Sequence, residues 1–395
     1  MGIRRGPATV TGERTSPRAT ATGGKAEASC NPGARKLRPS VPSYRGVVTP
    51  RKVRADDAPI RLGLSGFYHS QFRSAAQRPL MRRRSGLALG LLLGAALDAM
   101  LADPVRHHPV AAFGAAVSYG ESKFWADSRV RGASFAVMSA GSVLVLGSIA
   151  QRRLPGDLTA IATAAATWTV LGGTSLAAEA SGVARCLDAG DLASARRRLP
   201  ALCGRDPDDL DGPEIARATV ESVAENTCDA VVAPLFWGAV CGLPGLLAYR
   251  AVNTLDAMVG YRSSRYERFG WAAARLDDLA NLVPARVTAV LAVLLAPAVG
   301  GSPVHAMRIL LRDGARHPSP NGGRCEAAFA GALGVRLGGT NFYQGIDEKR
   351  GILGDGPPPA AREIRLAILL SRLIGASAVT LAAATVQLAG RRGRP

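Results

Sequence analysis

The chain has 395 residues, of which 47% are hydrophobic and only 5% aromatic, and its formal net charge is +19. The apolar residues fall in long runs of Ala, Leu, Val and Gly, a pattern typical of helices in lipid and not of an ordinary soluble core. The basic charge is uneven, because residues 1–80 hold 15 Lys and Arg against 4 Asp and Glu. No basic patch is interleaved with aromatic residues, so the charge does not indicate a nucleic-acid partner.

The first 80 residues are rich in Arg, Pro, Ser, Thr and Gly and show no sustained apolar period. Such a segment cannot bury enough surface to offset its ordering entropy, so we predict that residues 1–80 form a disordered basic extension. Met81 is followed at once by three arginines and then by an apolar helix. This arrangement indicates Met81 as an alternative start, and we expect residues 81–395 to form one integral membrane domain.

Six apolar stretches approach the roughly 20 residues that a helix needs to cross a bilayer. In chain order they are 86–101, 133–150, 158–178, 230–248, 287–304 and 366–390, of which 287–304 is the weakest. The first stretch contains Asp98 and the last contains Arg372, and Pro244 interrupts the fourth. These charged side chains, and the backbone groups that the proline leaves unpaired, must find their partners inside the protein. We predict an all-α, polytopic integral membrane protein with about four to six membrane-spanning helices, whose orientation stays open.

The first apolar run ends in LDAMLADPVRHHPV, which places Asp98 inside the helix and Asp103, His107 and His108 at its exit. Asp-Pro and His-Pro both favour extended or turn geometry, so the helix should end here. The histidines could act as acid or base, although a His beside a proline turn is more often a loop contact.

Three acids and an Asn precede the fourth apolar run, in the stretch ESVAENTCD. On a helix, Glu221, Glu225 and Asp229 stand at i, i+4 and i+8 and therefore share one face. Like charges this close together recruit a cation or favour protonation of one group, which points to a Mg²⁺ site or an acid–base pair. The equally weighted alternative is a solvated face on an exposed helix, with Arg217 paired to Glu221.

A second polar stripe follows that apolar run, where Arg250, Asn253 and Asp256 repeat at i, i+3 and i+6. Another polar group lies on the next helix and consists of Arg275, Asp277, Asp278 and Asn281. For any single residue, a structural salt-bridge network is the better explanation. Two polar stripes that flank one apolar segment nevertheless indicate a site at the membrane surface, with walls built from polar helices and loops.

Standard nucleotide and hydrolase motifs are absent from the sequence, which has no GxxxxGK[ST], GxGxxG, HExxH or GxSxG. A bound nucleotide would therefore not use a Walker loop. Gly pairs at 322–323 and 338–339 could bring backbone N–H groups close to phosphates, although glycine pairs are a weak signal. The six cysteines show no metal-ligand spacing and are expected to be reduced packing residues.

These motifs together resemble the adenosylcobinamide-phosphate synthases, the integral-membrane cobalamin biosynthesis proteins labelled CobD or CbiB. The resemblance spans roughly residues 85–390 and rests on the ordered blocks DAMLADPVRHHPV, ESVAENTCDAVVAPLFW, YRAVNTLDAMVGYR, FGWAAARLDDLANLVPAR and HPSPNGGRCEAAFAGALGVRLGG. Cys228, Ala230 and Thr340 depart from the family pattern, in which Ser, Gly and Pro are usual. Residues 1–80 have no counterpart in the family.

The resemblance implies an ATP-dependent ligation in cobalamin biosynthesis. It would join a carboxylate of adenosylcobyric acid to the amine of (R)-1-amino-2-propanol or its phosphate, giving adenosylcobinamide or its phosphate. ATP is the implied co-substrate and Mg²⁺ the implied cofactor. The expected partners are the lipid bilayer and other late cobalamin-pathway enzymes, and the expected location is the plasma membrane.

On this interpretation Glu221, Glu225 and Asp229 are the catalytic candidates, for metal binding or amine deprotonation, and Asp277 and Asp278 are the metal candidates. The candidate contacts to substrate and phosphate are Arg205, Arg250, Asn253, Asp256, Arg275, Asn321 and Asn341. An ion-coupled transporter is the competing class, since ionisable groups at the ends of broken apolar helices also describe a carrier. A non-catalytic scaffold of the late cobalamin pathway is a third. The charged blocks mostly flank the apolar spans, which favours the enzyme.

Overall fold

A computed structural model describes residues 64–103, 108–261, 263–343 and 346–391, with side chains described at 83–103, 108–261, 263–340 and 350–389. The prediction of a disordered extension at residues 1–80 falls mainly on residues 1–63, which lie outside the described part of the chain. The first helix begins at Leu64, inside that segment. His107 also lies outside the described residues.

The described residues form twelve α-helices and one two-stranded sheet. In chain order the helices are α1 (Leu64–Leu101), α2 (Pro109–Phe124), α3 (Arg129–Arg153), α4 (Gly156–Val170), α5 (Gly173–Asp188), α6 (Leu192–Arg198), α7 (Gly212–Thr227), α8 (Ala233–Leu255), α9 (Trp271–Leu295), α10 (Pro303–Asp313), α11 (Gly322–Leu333) and α12 (Ala361–Arg391). Strands β1 (Leu337–Tyr343) and β2 (Ile346–Leu353) lie between α11 and α12 and pair antiparallel, from Leu337 opposite Leu353 to Tyr343 opposite Ile346.

Six helical segments of the described chain are long and apolar enough to cross a membrane, namely Arg83–Leu101, Arg129–Arg153, Gly156–Asp188, Gly212–Gly260, Trp271–Val299 and Ala361–Ala389. Each overlaps one of the six predicted apolar stretches, so the predicted all-α polytopic membrane fold is confirmed. The apolar window of α3 is only 17% buried. Such an outward-facing apolar surface is what a lipid-facing helix requires.

Close packing of α1 against α4 holds the end of α1 near the start of α5. A Cβ added at Gly90 would overlap Thr163 of α4, and one added at Gly94 would overlap Thr167. Small residues at this spacing let two membrane helices approach closely. The third apolar segment is then interrupted after α4 at Leu171, and α5 starts at Gly173 beside Asp98.

The break expected in the fourth apolar stretch lies at Gly242, where α8 reverses direction. Gly242 has φ 71° and ψ −154°, a backbone conformation essentially restricted to glycine, and Pro244 follows it. The Tyr249 hydroxyl donates a hydrogen bond to the Asp229 carbonyl over 3.3 Å. Twenty residues of straight helix would hold these groups about 30 Å apart. The segment Gly212–Gly260 is therefore a helical hairpin, and the stretch 230–248 is not one straight crossing.

The largest apolar core surrounds α7, which is buried on nearly every side. A capping box starts this helix, because Asp211 accepts from the Glu214 N–H over 2.8 Å and Glu214 accepts from the Asp211 N–H over 2.9 Å. Apolar side chains of α5, α9, α11 and α12 complete the core around it. Polar side chains on α7 consequently face protein, which contradicts the alternative of a solvated, exposed helix face.

Candidate active site

A small acidic pocket lies where the end of α7, the first half of α9 and the loop before α11 meet. Its volume is about 30 Å³, enough for one or two ordered waters. The lining residues are Glu225, Cys228, Asp229, Asp277, Asp278, Asn281, Ser319, Asn321, Gly322 and Cys325. They include four carboxylates, and no described Lys, Arg or His is among them. We refer to this cavity as the acidic pocket.

A change of helical period places two of the three predicted catalytic acids in the acidic pocket. The α-helical turns end at Thr227, and Cys228–Val232 form a wider π-turn before α8. Glu225 and Asp229 line the pocket, whereas Glu221 is not among the described lining residues. π-turns within helices are rare and frequently occur at functional sites.

Glu221 is held by an ion pair one turn before the acidic pocket. Its carboxylate pairs with Arg205, and both side chains are at most 4% exposed. Arg217 lies 3.5 Å away, which confirms the suggested Arg217–Glu221 pair, and the Gly338 N–H donates to Glu221 over 2.7 Å. These contacts tie α7 to β1 and to the segment before α7. They give Glu221 and Arg205 a positioning role in the described geometry.

Replacing Glu221 by Gln is expected to destabilise the fold by about 3–5 kcal/mol, because it leaves a buried Arg205 charge without its counter-charge. The measurement is the thermal unfolding midpoint of the detergent-solubilised chain. Glu179→Gln is the matched control, since Glu179 pairs with Arg198 over 3.0 Å at an exposed position and such pairs contribute about 0–1 kcal/mol. An unchanged midpoint with lost turnover would instead assign Glu221 to the chemistry.

Asp277 is oriented by two amides from different helices. The Asn253 side chain on α8 donates to Asp277 Oδ1 over 3.3 Å, and the Asn281 side chain donates to Oδ2 over 3.0 Å. Asn281 in turn accepts from the Tyr249 hydroxyl over 2.9 Å. The structure thus brings the two predicted polar stripes together, with one carboxylate fixed between them.

The loop before α11 closes the other wall of the acidic pocket. The Asn321 side chain donates to the Asp278 carbonyl over 2.7 Å, and Ser319 Oγ accepts from the Gly322 N–H over 3.1 Å. A Cβ on Gly322 would lie 3.3 Å from Glu225 Oε1, so the first residue of α11 approaches the Glu225 carboxylate directly. The positive end of a helix dipole therefore faces the acids.

Arg250, Asp256 and Arg275, three further predicted contact residues, are not among the described lining residues of the acidic pocket. Arg275 is 67% exposed on its side chain and stands 3.6 Å from Asp278. Arg250 donates to Asn253 Oδ1 over 3.3 Å. Asp256 begins the π-turn Asp256–Gly260 and lies near Asp277 of α9. Asn341 belongs to β1, but its side chain is outside the described residues.

The donor set of the acidic pocket fits a hard cation. Among the described residues, no three His, Cys, Asp or Glu side chains are arranged to hold a metal ion by themselves. Mg²⁺ keeps several waters and takes only one or two protein carboxylates, so it does not require such a group. Asp277 and Asp278, which share the lining with Glu225 and Asp229, are the oxygen donors that could hold it.

Some residues around the acidic pocket were not predicted as site residues from the sequence. Tyr249 and Ser319 are polar residues beside predicted positions, and their contacts depend on the hairpin and the loop, whereas Asn281 belongs to the polar group predicted on α9. Glu326 is completely buried in the Ala-rich α11. Its burial, together with nearby Glu221 and Glu225, raises the pKa of Glu326 well above its usual range. A lone acid in an otherwise small and apolar helix was the available signal.

The fold and the acidic pocket define a multi-pass helical membrane protein with a carboxylate-rich site. The chain belongs to the CobD/CbiB family, since the family profile described as "CobD/Cbib protein" matches residues 91–371. This membership confirms the resemblance carried by the sequence blocks and gives the chain a role in cobalamin biosynthesis.

This chain aligns with several curated relatives over most of their length. "Cobalamin biosynthesis protein CobD" of Mycobacterium tuberculosis (strain CDC 1551 / Oshkosh) is 55% identical over 296 residues, which cover 75% of this chain and 94% of the relative. Proteins of the same name from Pelobacter propionicus and Rhodobacter capsulatus are 46% and 41% identical, over 68% and 67% of this chain and 84% and 85% of the relatives. No solved structure matches the chain.

Proposed function

We propose that the chain is an ATP-dependent acid–amine ligase, an adenosylcobinamide-phosphate synthase. It would join a carboxylate of adenosylcobyric acid to the amine of (R)-1-amino-2-propanol or its phosphate. The observation that carries the proposal is the acidic pocket, in which four carboxylates converge without a described cationic side chain in the lining. A cation and an amine are the two ligands that such a pocket attracts.

The proposed reaction has two steps. The corrinoid carboxylate attacks the γ-phosphorus of ATP, the bond from that phosphorus to the bridging oxygen breaks, and ADP leaves, so the carboxylate becomes an acyl phosphate. The deprotonated amine then attacks the acyl carbon, and the carbon–oxygen bond to phosphate breaks. The products are the amide, ADP, inorganic phosphate and the proton lost by the substrate ammonium.

Asp277 and Asp278 are the proposed Mg²⁺ ligands. The amides of Asn253 and Asn281 hold the Asp277 carboxylate in one orientation, which reduces the cost of ordering it when phosphate oxygens bind. A bound Mg²⁺ would neutralise charge on the transferred phosphoryl group. Asn321 and the N-terminus of α11 are proposed to contact the same phosphate oxygens, because helix N-termini bind anions.

Glu225 and Asp229 are the proposed proton acceptors for the substrate ammonium. Both line the acidic pocket together with the proposed metal ligands Asp277 and Asp278, so a base would be available beside the phosphoryl group that the amine displaces. A positioned general base typically contributes about 10²–10⁴-fold to rate. Glu221 would hold α7 in register through its ion pair with Arg205.

The size of the acidic pocket restricts what it encloses. Its volume of about 30 Å³ admits waters, a cation or an ammonium group, but not a corrin ring or an adenosine. We therefore propose that these large groups lie outside it, at the membrane surface, and that only the reacting groups enter. The proposed location is the plasma membrane, with other late cobalamin-pathway enzymes as partners.

Membranes carrying the chain test the proposed function. They are incubated with adenosylcobyric acid, Mg-ATP and aminopropanol phosphate, or the free amine, and the corrinoids are measured by mass spectrometry. The expected result is a mass gain equal to the amine minus water, which requires ATP and is abolished by EDTA. No gain with either amine from folded, inserted protein would refute the ligase and favour a carrier or a scaffold.

A further inference from the structure

A second polar cluster lies at the end of α1, next to the acidic pocket but separate from its lining. Asp98 belongs to the last turns of α1 and is only 7% exposed. Asp103 and His108 follow the end of that helix. Arg250, on the arm of α8 that follows Gly242, is close enough to Asp103 for their charges to interact. We call these four residues the α1-end cluster.

Each member of the α1-end cluster has a buried polar atom with no hydrogen-bond partner among the described residues. These atoms are Asp98 Oδ1, Asp103 Oδ1, His108 Nε2 and Arg250 Nε. The second oxygen of Asp98 does accept a hydrogen bond, from Thr174 Oγ1 over 3.3 Å. A buried polar group left without a partner typically costs about 1–3 kcal/mol. Four of them in one place indicate a ligand that supplies both donors and acceptors.

The hydrogen bonds of His108 determine what it offers to that ligand. Its Nδ1 accepts from the Val110 N–H over 3.2 Å, so a neutral His108 carries its proton on Nε2. Nε2 lies 3.9 Å from Asp103 Oδ1, too far for a hydrogen bond. The cluster thus presents two carboxylate oxygens as acceptors and two N–H groups, from His108 and Arg250, as donors.

We propose that the α1-end cluster binds the amine co-substrate. Asp98 and Asp103 would take its ammonium group, and His108 and Arg250 its hydroxyl or phosphate oxygen. A primary ammonium with a neighbouring oxygen substituent satisfies both kinds of unpaired atom, whereas a bare cation or a bare anion satisfies only one. The inference rests on the proposed function, because it assigns one substrate of that reaction to a place in the fold.

Two glycines at the start of α5 lie beside the carboxylates of the α1-end cluster. A Cβ added at Gly173 would lie 3.4 Å from Asp98 Oδ2, and one added at Gly172 would lie 3.9 Å from Asp103 Oδ2. These glycines therefore place the start of α5 against the carboxylates of Asp98 and Asp103, whose other oxygens, the Oδ1 atoms, are the unpaired ones.

Two links connect the α1-end cluster to the acidic pocket. The Gly172 N–H donates to the carbonyl of Ala230, the residue after Asp229, over 3.2 Å. Arg250 donates to Asn253, which donates to the metal-binding candidate Asp277. An amine held by the cluster is therefore next to the carboxylates proposed to take its proton.

Binding of the amine alone tests the assignment without requiring turnover. Purified full-length chain in detergent is titrated with (R)-1-amino-2-propanol phosphate by calorimetry, in the absence of ATP and corrinoid. Asp98→Asn and Asp103→Asn are expected to weaken binding at least about tenfold, since each removes one ionic contact. Asp127→Asn is the matched control, because Asp127 is an exposed acid paired with Arg268.

Turnover kinetics give a second measurement and separate this inference from the proposed function. Asp103→Asn, at a half-buried position that tolerates the isosteric amide, is expected to raise the KM for the amine with little change in the KM for ATP. Ligation with wild-type affinities in both Asp variants would overturn the subsite and leave the ligase intact. Equal binding of a propanediol phosphate that lacks the amine would overturn the role of the carboxylates. A folded wild type that neither binds the amine nor ligates it would overturn both.

Discussion

Replacing Glu225 by Gln is expected to lower ligation turnover by about 10²–10⁴-fold, the range typical of losing a positioned general base. The amide has nearly the same shape as the carboxylate but cannot accept the proton of the substrate ammonium. Because Glu225 shares its pocket with three other carboxylates, the change also removes like-charge repulsion. The thermal midpoint is therefore expected to stay the same or to rise while activity is lost.

The measurement is single-turnover product formation from membranes that hold equal amounts of inserted protein. Glu267→Gln is the control, since Glu267 is an exposed acid in the loop before α9, and it should retain wild-type turnover. Full activity in folded Glu225→Gln protein would contradict the assignment and leave Asp229 as the only proton acceptor proposed in the acidic pocket. A lowered midpoint with proportional loss of activity would mean that Glu225 acts in folding.

The contrast between Glu221 and Glu225 shows where spacing alone stops being informative. The i, i+4 rule correctly places both residues on one buried face of α7. Their different environments come from other elements of the fold, because Arg205 pairs with Glu221 and the Gly338 N–H donates to it, whereas Gly322 and Asp277 stand beside Glu225. A sequence pattern specifies the face of a helix, but only tertiary packing specifies which neighbour meets each side chain.

The apolar segments that can cross the membrane were predictable from the sequence, but the direction of the chain within them was not. Apolar length and composition predicted all six long segments, since the bilayer requires about 20 apolar residues from each crossing helix. Composition does not show where a helix reverses its direction, and the run before Gly242 is as apolar as the run after it. A single glycine conformation turns one predicted crossing into a hairpin. The pairing of Tyr249 with Asn281, and of Asn253 with Asp277, depends on that reversal.

Replacing Gly242 by Ala is expected to prevent the hairpin from closing in its present form. The backbone conformation of Gly242, with φ 71° and ψ −154°, costs a residue with a Cβ about 1–3 kcal/mol. The new Cβ would also overlap Gln151 Oε1. That oxygen accepts from the Leu243 N–H over 2.8 Å, and losing this bond at a buried turn costs about 1–3 kcal/mol more.

The arm of the hairpin after Gly242 carries residues that position the acidic pocket and one member of the α1-end cluster. On this arm Tyr249 donates to the Asp229 carbonyl and to Asn281, and Asn253 donates to Asp277. Arg250, a member of the α1-end cluster, also lies on it and donates to Asn253. A displaced arm therefore misplaces both the acidic pocket and the α1-end cluster. Gly242→Ala should therefore lower the unfolding midpoint and also reduce turnover per folded molecule. Gly141→Ala on α3 is the matched control, because no atom lies within 4 Å of its added Cβ and alanine favours a helix. Equal midpoints for the two variants would contradict the reversal at Gly242 and imply that α8 is one continuous helix.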